Sequence, residues 1–363
     1  MRRYLSLILM FSLLFLSGTS LIWAGDPKKY EGESIIVYEG ITPHARELIM
    51  KYIAPVLKEK WGIELVVEEM GSKTMLQKIV LMRDKPTVTL CGWDMLTGMQ
   101  AAKMDLTAPI DPKLVPNLKE LYDFAFYRMD GEIHGVIATI TGVGLIYNED
   151  IFKQKGFAPP DSWSDLWRPE LSGRVSITAP ESTWGTAALV AIADWQGGGV
   201  ENIDPGFEKL KTLLPNIHTI HTWSSELVKL MQLNEVWLAT TGQNMGPAMR
   251  AVGFPARWVA PKEGAPFTGG GGSGPTLIRN APYQDVAHDF INLYLSLEYQ
   301  LRRTLWGGVT TSHKRVWTIL SPEQLKDWPL TPANFDRLVM YDWEKIAQYR
   351  DGWIERWHKE LPK

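Results

Sequence analysis

The stretch Ser34-Ile35-Ile36-Val37-Tyr38-Glu39-Gly40-Ile41-Thr42-Pro43 opens the globular part of the chain. Residues Ile35 to Tyr38 are β-branched or aromatic and suit a strand, and a glycine and a proline then break it. From His44 to Lys60 apolar residues recur at helical spacing, at Leu48, Ile49, Tyr52, Ile53, Val56 and Leu57, with Pro55 expected to interrupt the helix. Gly62 ends that helix, and Ile63-Glu64-Leu65-Val66-Val67 reads as the next strand. Gly71-Ser72-Lys73-Thr74 opens a second helix, Thr87 to Cys91 a third strand and Asp94 to Met104 a third helix. This alternation implies a mainly parallel sheet covered by helices. In such sheets ligands bind beyond the carboxyl ends of the strands, which selects three loops: Glu39 to Thr42, Gly71 to Thr74 and Gly92 to Asp94. Their candidate contacts are Glu39, Gly40, Thr42, Ser72, Trp93 and Asp94.

A second unit of the same kind follows. Gly144 to Asn148 is a strand leading into a helix at Glu149 to Phe152, and Ser162 reads as an N-cap with Asp165 completing a capping box. Val175-Ser176-Ile177-Thr178 is a strand, and Pro180-Glu181-Ser182-Thr183-Trp184-Gly185 enters an Ala-rich helix that runs to Trp195. Val236 to Thr240 is a further strand, followed by Gln243 and Asn244. The same logic adds Ser182, Thr183, Trp184, Gln243 and Asn244 to the candidate contacts. The Gly269 to Ser273 run adds Ser273, since glycines let the backbone approach a ligand closely. A strand-like Thr276 to Ile278, a helix from Tyr283 to Leu297 and an aromatic-rich helical C-terminal region complete the pass.

Arg2 and Arg3, an apolar run from Leu5 to Leu16 and small residues before Ala24 read as a cleaved secretory signal over residues 1–24. The alternative, an uncleaved membrane anchor, is disfavoured because the run is shorter than the ~20 residues that span a bilayer. Export to the periplasm is the expectation. Losing Arg2 and Arg3 with the signal takes the net charge from −3 to −5, and no basic run remains to attract nucleic acid. Cys91 is the only cysteine, so no intrachain disulfide forms and stability must come from the core.

The order of segments resembles the bacterial extracellular solute-binding proteins of ABC transporters, in the polyamine-type group that binds spermidine and putrescine. The carrying segments are Asp94 to Gly98 through Leu106 to Asp111 with Val115-Pro116-Asn117-Leu118, Gly142 to Asn148, Ser162 to Trp167 with Leu171 to Val175, Glu235 to Ala239, Val259 to Gly264 and Ala287 to Asn292. The resemblance spans nearly all of the mature chain. It implies an α/β, two-lobed periplasmic-binding-protein fold of type II, with mixed, mainly parallel sheets and a ligand cleft between the lobes. It places lobe one at residues 33–137 and 267–311 and lobe two at 138–266 and 312–363. It implies a monomer that closes on a small-molecule ligand and hands it to a membrane permease, with no cofactor, no nucleic acid and no catalysis.

Polyamine binders carry paired acids after the second-lobe strand, where this chain reads Ala179-Pro180-Glu181-Ser182-Thr183-Trp184. They carry a Trp and an Asp after the Pro-Lys-Glu-Gly motif, where this chain reads Phe267-Thr268-Gly269. The helix starts at Ser72 and Ser182–Thr183 favour an anionic group, whereas Glu39 and Asp94 favour an ammonium. Together they suit a zwitterionic or anionic solute such as an amino-phosphonate, with a linear polyamine as the alternative. His218 and His221 form the only close histidine pair and lack a third ligand at metal spacing, and no Tyr-Tyr pair offers an iron site. A secreted hydrolase and a sensor adaptor are the other functional classes, and the missing hydrolase and nucleotide-loop motifs argue against the first.

Overall fold

The computed structural model describes residues 29–40, 43–268, 274–307, 309–325 and 328–361. The expected signal at residues 1–24, and Thr42 and Ser273 among the candidate contacts, lie outside the described residues.

The helices are α1 Pro43–Tyr52, α2 Ala54–Trp61, α3 Ser72–Leu81, α4 Met95–Lys103, α5 Glu149–Lys155, α6 Thr183–Trp195, α7 Asp204–Lys211, α8 Ser224–Gln232, α9 Met245–Ala251, α10 Gln284–Tyr294, α11 Leu297–Gly307, α12 Lys314–Ile319, α13 Pro322–Leu325 and α14 Trp343–Glu360. The strands are β1 Ser34–Glu39, β2 Glu64–Glu69, β3 Leu90–Gly92, β4 Phe126–Met129, β5 Glu132–Val136, β6 Val143–Asn148, β7 Val175–Thr178, β8 Ile217–His221, β9 Leu238–Gly242, β10 Ala256–Val259, β11 Ala265–Pro266, β12 Thr276–Leu277 and β13 Leu338–Val339.

Two main sheets result, a four-stranded sheet in the order β12-β3-β1-β2 and a five-stranded sheet in the order β10-β6-β9-β7-β8. In the first, β1 runs parallel to β2 and β3, while β12 is antiparallel to β3. In the second, β7 runs parallel to β8 and β9, while β6 is antiparallel to β9 and β10. Local chemistry explains several boundaries. Pro55 near the start of α2 divides the long helical run in two, and Gly62 ends α2 in a left-handed cap. The Ser162–Asp165 capping box is present but starts a 3-10 turn, Trp163–Trp167.

Ile35, Val37, Leu65 and Val67 bury one face of the first sheet against α1, α2 and α10, through Ile49, Leu57 and Phe290. In the second sheet Val143, Leu145, Val175 and Ile177 pack with α6. The chain crosses between the sheets in paired extended segments. Thr139 bridges Thr311, and Gly142 bridges Phe267. Helix α12 packs on α11 through Val316, Trp317, Leu301 and Leu305. Helix α14 instead joins the second sheet's core through Trp343, Ile346, Trp353 and Trp357.

Candidate functional site

In the first sheet the chain leaves β1 for β2 on one side and reaches β3 on the other, so the crevice lies between the carboxyl ends of β1 and β3. Glu39, the last residue of β1, stands opposite Gly92, the last of β3, and the Gly40 N–H donates to the Gly92 carbonyl at 3.2 Å. A Cβ on Gly92 would collide with the Glu39 carboxylate, so glycine leaves the space that the carboxylate fills. Glu39 is fully buried, and neither of its oxygens has a hydrogen-bond partner among the described residues. Burial pushes its carboxyl up to about 7, with Arg303 pulling the other way. A cavity of ≈ 380 Å³ opens on the other side of β1, between the ends of β1 and β2 and the start of α3, lined by Glu39, Gly40, Glu69, Met70, Gly71 and Ser72.

In the second sheet the same argument places the crevice between the ends of β7 and β9. Ser182 caps α6, its Oγ accepting the Trp184 N–H at 3.3 Å, and Thr183 and Trp184 form the first turn. The half-buried Trp184 ring lies over Gly242, where a Cβ would sit 2.6 Å from it. Asn244 is exposed beside it and caps nothing with its side chain.

Arg350 of α14 reaches the second crevice. Its Nη2 donates to the Glu181 carbonyl at 2.6 Å and its Nε to Thr186 Oγ1 at 3.0 Å, which braces the turn before α6. Burial lowers its pKa, while Asp94 of the first unit and Glu181 of the second pull it up. The guanidinium is thus bound to the second unit alone and feels the charge of Asp94 in the first.

Three candidates have other work. Trp93, expected as an aromatic ligand contact, is 1% exposed and donates from Nε1 to Thr276 Oγ1 at 3.1 Å. Its ring fills the core beside Met75 and Ile278, because the chain turns inward after β3. Asp94, expected to hold an ammonium, caps α4: Oδ1 accepts the Thr97 N–H at 2.9 Å and Oδ2 accepts the Thr97 hydroxyl at 3.0 Å. Gln243, expected to face the ligand, is buried and ties the crossing segments together. Its Oε1 accepts the Gly142 N–H at 2.7 Å, and its Nε2 donates to the Ile140 carbonyl at 2.8 Å. Ser72 borders the cavity while its Oγ accepts the Asp94 N–H at 3.0 Å.

Sequence reasoning missed Arg303, Arg350 and Trp223. The two arginines come from helices remote in sequence, and the only signal was helical spacing that puts Arg303 on one face with the buried Tyr299 and Gln300. Trp223, 72% exposed, follows β8 at the ligand-side end of the second sheet. The close histidine pair separates in role. His221 is buried between Ser176 Oγ at 2.7 Å and Thr178 Oγ1 at 3.2 Å, and burial lowers it to about 4. His218 lies 3.5 Å from Glu235.

A family model described as bacterial extracellular solute-binding protein matches residues 51–333. The spermidine/putrescine-binding periplasmic protein 1 of Haemophilus influenzae is 22% identical over 307 residues, covering 83% of this chain and 82% of that protein. An ABC transporter structure from Clostridium perfringens superposes with a TM-score of 0.75 at 21% identity, covering 91% of this chain and 100% of the other. The periplasmic binding protein AfuA of Actinobacillus pleuropneumoniae, with fructose-6-phosphate bound, superposes with a TM-score of 0.68 at 21% identity, covering 92% and 99%.

Proposed function

The chain belongs to the bacterial extracellular solute-binding proteins, the solute-capturing components of ABC transporters, and from that premise we propose that its solute is small and zwitterionic, enclosed between the two crevices without turnover. The observation that carries the solute class is the opposition of chemistries. The first crevice offers a buried carboxylate, Glu39, and the second offers the start of α6 with the Ser182 and Thr183 hydroxyls, which suits an anionic group. A relative named for polyamines and a neighbour holding a sugar phosphate indicate that this scaffold serves ligands of either sign.

In this reading lobe one is built on the first sheet and carries α12 on α11, lobe two is built on the second sheet with α14, and the crossing segments are the hinge. The binding residues are Glu39, Gly40 and Ser72 from one side and Ser182, Thr183, Trp184 and Asn244 from the other. The protein works as a periplasmic monomer, released by cleavage of its leader, and docks on a membrane permease. Among the described residues no helix is long and apolar enough to cross a membrane.

Thermal unfolding in the presence of 2-aminoethylphosphonate, 4-aminobutyrate, spermidine and a sugar phosphate tests the class. A bound solute at about 100 times its dissociation constant adds roughly 2.7 kcal/mol, a rise of several degrees. The zwitterions should give that rise. A rise with spermidine and none with the zwitterions reverses the assignment to polyamine.

A further inference from the structure

Every described tryptophan except Trp184 and Trp223 is engaged by its own chain: it donates its indole N–H, meets another ring or lies under a cation. Trp306, the other exposed indole, has Lys51 at 5.8 Å and Arg302 at 5.7 Å from its centroid. The Trp184 and Trp223 indoles have no hydrogen bond and no ring or cation against them among the described residues. Both stand at the ligand-side end of the second sheet.

The sheet sets their spacing. Strand β7 lies between β9 and β8, and the chain leaves it through Pro180 and Glu181 into α6. The Trp184 ring lies over Gly242, the last residue of β9. Trp223 follows β8, where Thr178 stands opposite His221 and the Ala179 N–H donates to the His221 carbonyl at 2.8 Å. One indole therefore belongs to the β9 side of the β7 end and the other to its β8 side. Two strand spacings are about 10 Å, and a carbon chain touching an aromatic face on each side needs about 7–8 Å.

The backbone under Trp223 is fixed. Its carbonyl accepts the Glu226 and Leu227 N–H groups at 3.1 and 3.3 Å, and Glu226 Oε2 accepts the Thr222 N–H at 3.3 Å. Leu227 is fully buried in an apolar cluster against which Trp184 also packs. The Trp223 ring itself is 72% exposed and so open to a solute in a way that the buried Trp93 ring is not. A broad apolar ring held out from a fixed backbone beside the crevice keeps its face for a molecule outside the chain.

We propose that Trp223 is a specificity-determining residue that lies against the carbon chain of the captured solute, with Trp184 on the chain's other side. The inference rests on the capture reading above and deepens it. The anionic group sits on the start of α6, and the chain that joins it to the ammonium runs between the indoles. An indole face attracts the positive charge spread over C–H groups beside an ammonium, as the Trp306 face attracts Lys51 and Arg302. The seat therefore favours an aminoalkyl chain over an inorganic anion, which gives the indoles nothing to cover.

The test is titration of 2-aminoethylphosphonate, inorganic phosphate and spermidine into wild type, Trp223→Ala, Trp223→Phe and Trp306→Phe, followed by calorimetry and by tryptophan emission with acrylamide quenching. In wild type, 2-aminoethylphosphonate should move the emission to the blue and protect it from acrylamide. Inorganic phosphate should bind about tenfold more weakly and leave the emission unmoved. Trp223→Ala should weaken 2-aminoethylphosphonate about tenfold. Trp223→Phe keeps an aromatic face, so its affinity should stay within about threefold of wild type while most of the emission change is lost. Trp306→Phe should keep both affinity and emission change. Unaltered affinity in Trp223→Ala, or a full emission change in Trp223→Phe, overturns the inference while leaving solute capture intact. A Trp223-dependent response to spermidine with none to 2-aminoethylphosphonate overturns the zwitterion class and keeps Trp223 on the solute. No response to either organic probe overturns both.

Discussion

At the scale of single residues, burial and hydrogen bonding assign separate tasks to side chains that sequence position groups together. Glu39 and Asp94 both follow strands at the ligand end of one sheet, yet Asp94 spends both oxygens on Thr97 and Glu39 spends neither on a described residue. The burial of Glu39 has a consequence for stability. Its carboxyl is raised to about 7 in the folded protein, against about 4.3 in an unfolded chain, so the folded state holds the proton more tightly. Stability contributed by the protonated form is therefore complete below pH ~4 and is lost as pH rises toward 7, by a total of about 4 kcal/mol. Glu39→Gln removes that loss, and its melting temperature should gain on wild type between pH 5 and pH 8. A melting difference that stays constant across that range would contradict the buried, unpartnered state of the carboxylate. Gln243 gives the opposite test. Gln243→Leu strands the Gly142 N–H and the Ile140 carbonyl, which should cost about 2–4 kcal/mol. Lost solute binding at an unchanged melting temperature would return Gln243 to the ligand.

At the scale of elements, the ligand-side turn before α6 is shaped by a helix more than 150 residues away in sequence. Arg350 of α14 donates to the Pro180 and Glu181 carbonyls and to Thr186. Hydrogen bonds from a charged donor contribute roughly 1.5–3 kcal/mol. Arg350→Ala should therefore speed hydrogen exchange at the amides of Ser182 to Thr186 and weaken solute binding about tenfold, with little change in exchange across β1 to β3. Unaltered exchange at those amides would show that α6 holds its own entry. This coupling also marks where the sequence stops being legible. Val175 to Thr178 is recovered as a strand to the residue, because four β-branched or small residues lie between a glycine-led turn and a proline. The division at Pro55 was legible for the same kind of local reason. The β4–β5 hairpin, α7, α8 and β8 were not, because their patterns are short and are completed by neighbours elsewhere in the chain. Likewise Glu39 and Trp184 were legible as residues near the carboxyl ends of strands, although Glu39 closes β1 and Trp184 lies in the first turn of α6 rather than in a loop. The burial of Trp93 and the arrival of Arg303 and Arg350 depend on tertiary packing that no local window carries.

At the scale of the whole molecule, the contact between α4 and α14 brings the first unit's ligand-side helix against the second unit's C-terminal helix. Met95 and Ala102 of α4 share a buried cluster with Trp343 and Ile346 of α14, and Leu96 and Met99 pack at its edge. The Lys103–Glu344 ion pair lies beside them with side chains 45% and 37% exposed. Pairs that exposed contribute about 0–1 kcal/mol, whereas each well-buried apolar side chain contributes about 1.5–3 kcal/mol, so apolar contact outweighs the ion pair where α4 meets α14. Closure should then depend on Met99 and be indifferent to Lys103. In solution scattering without solute, Met99→Glu should enlarge the radius of gyration by favouring the open form, and saturating solute should restore the compact value. If the closed form falls to about a tenth of its former population, the apparent dissociation constant rises about tenfold, while Lys103→Ala leaves both quantities near wild type. Equal scattering from wild type and Met99→Glu, with equal affinities, would mean that the two units are a single rigid body and that the solute enters by another route.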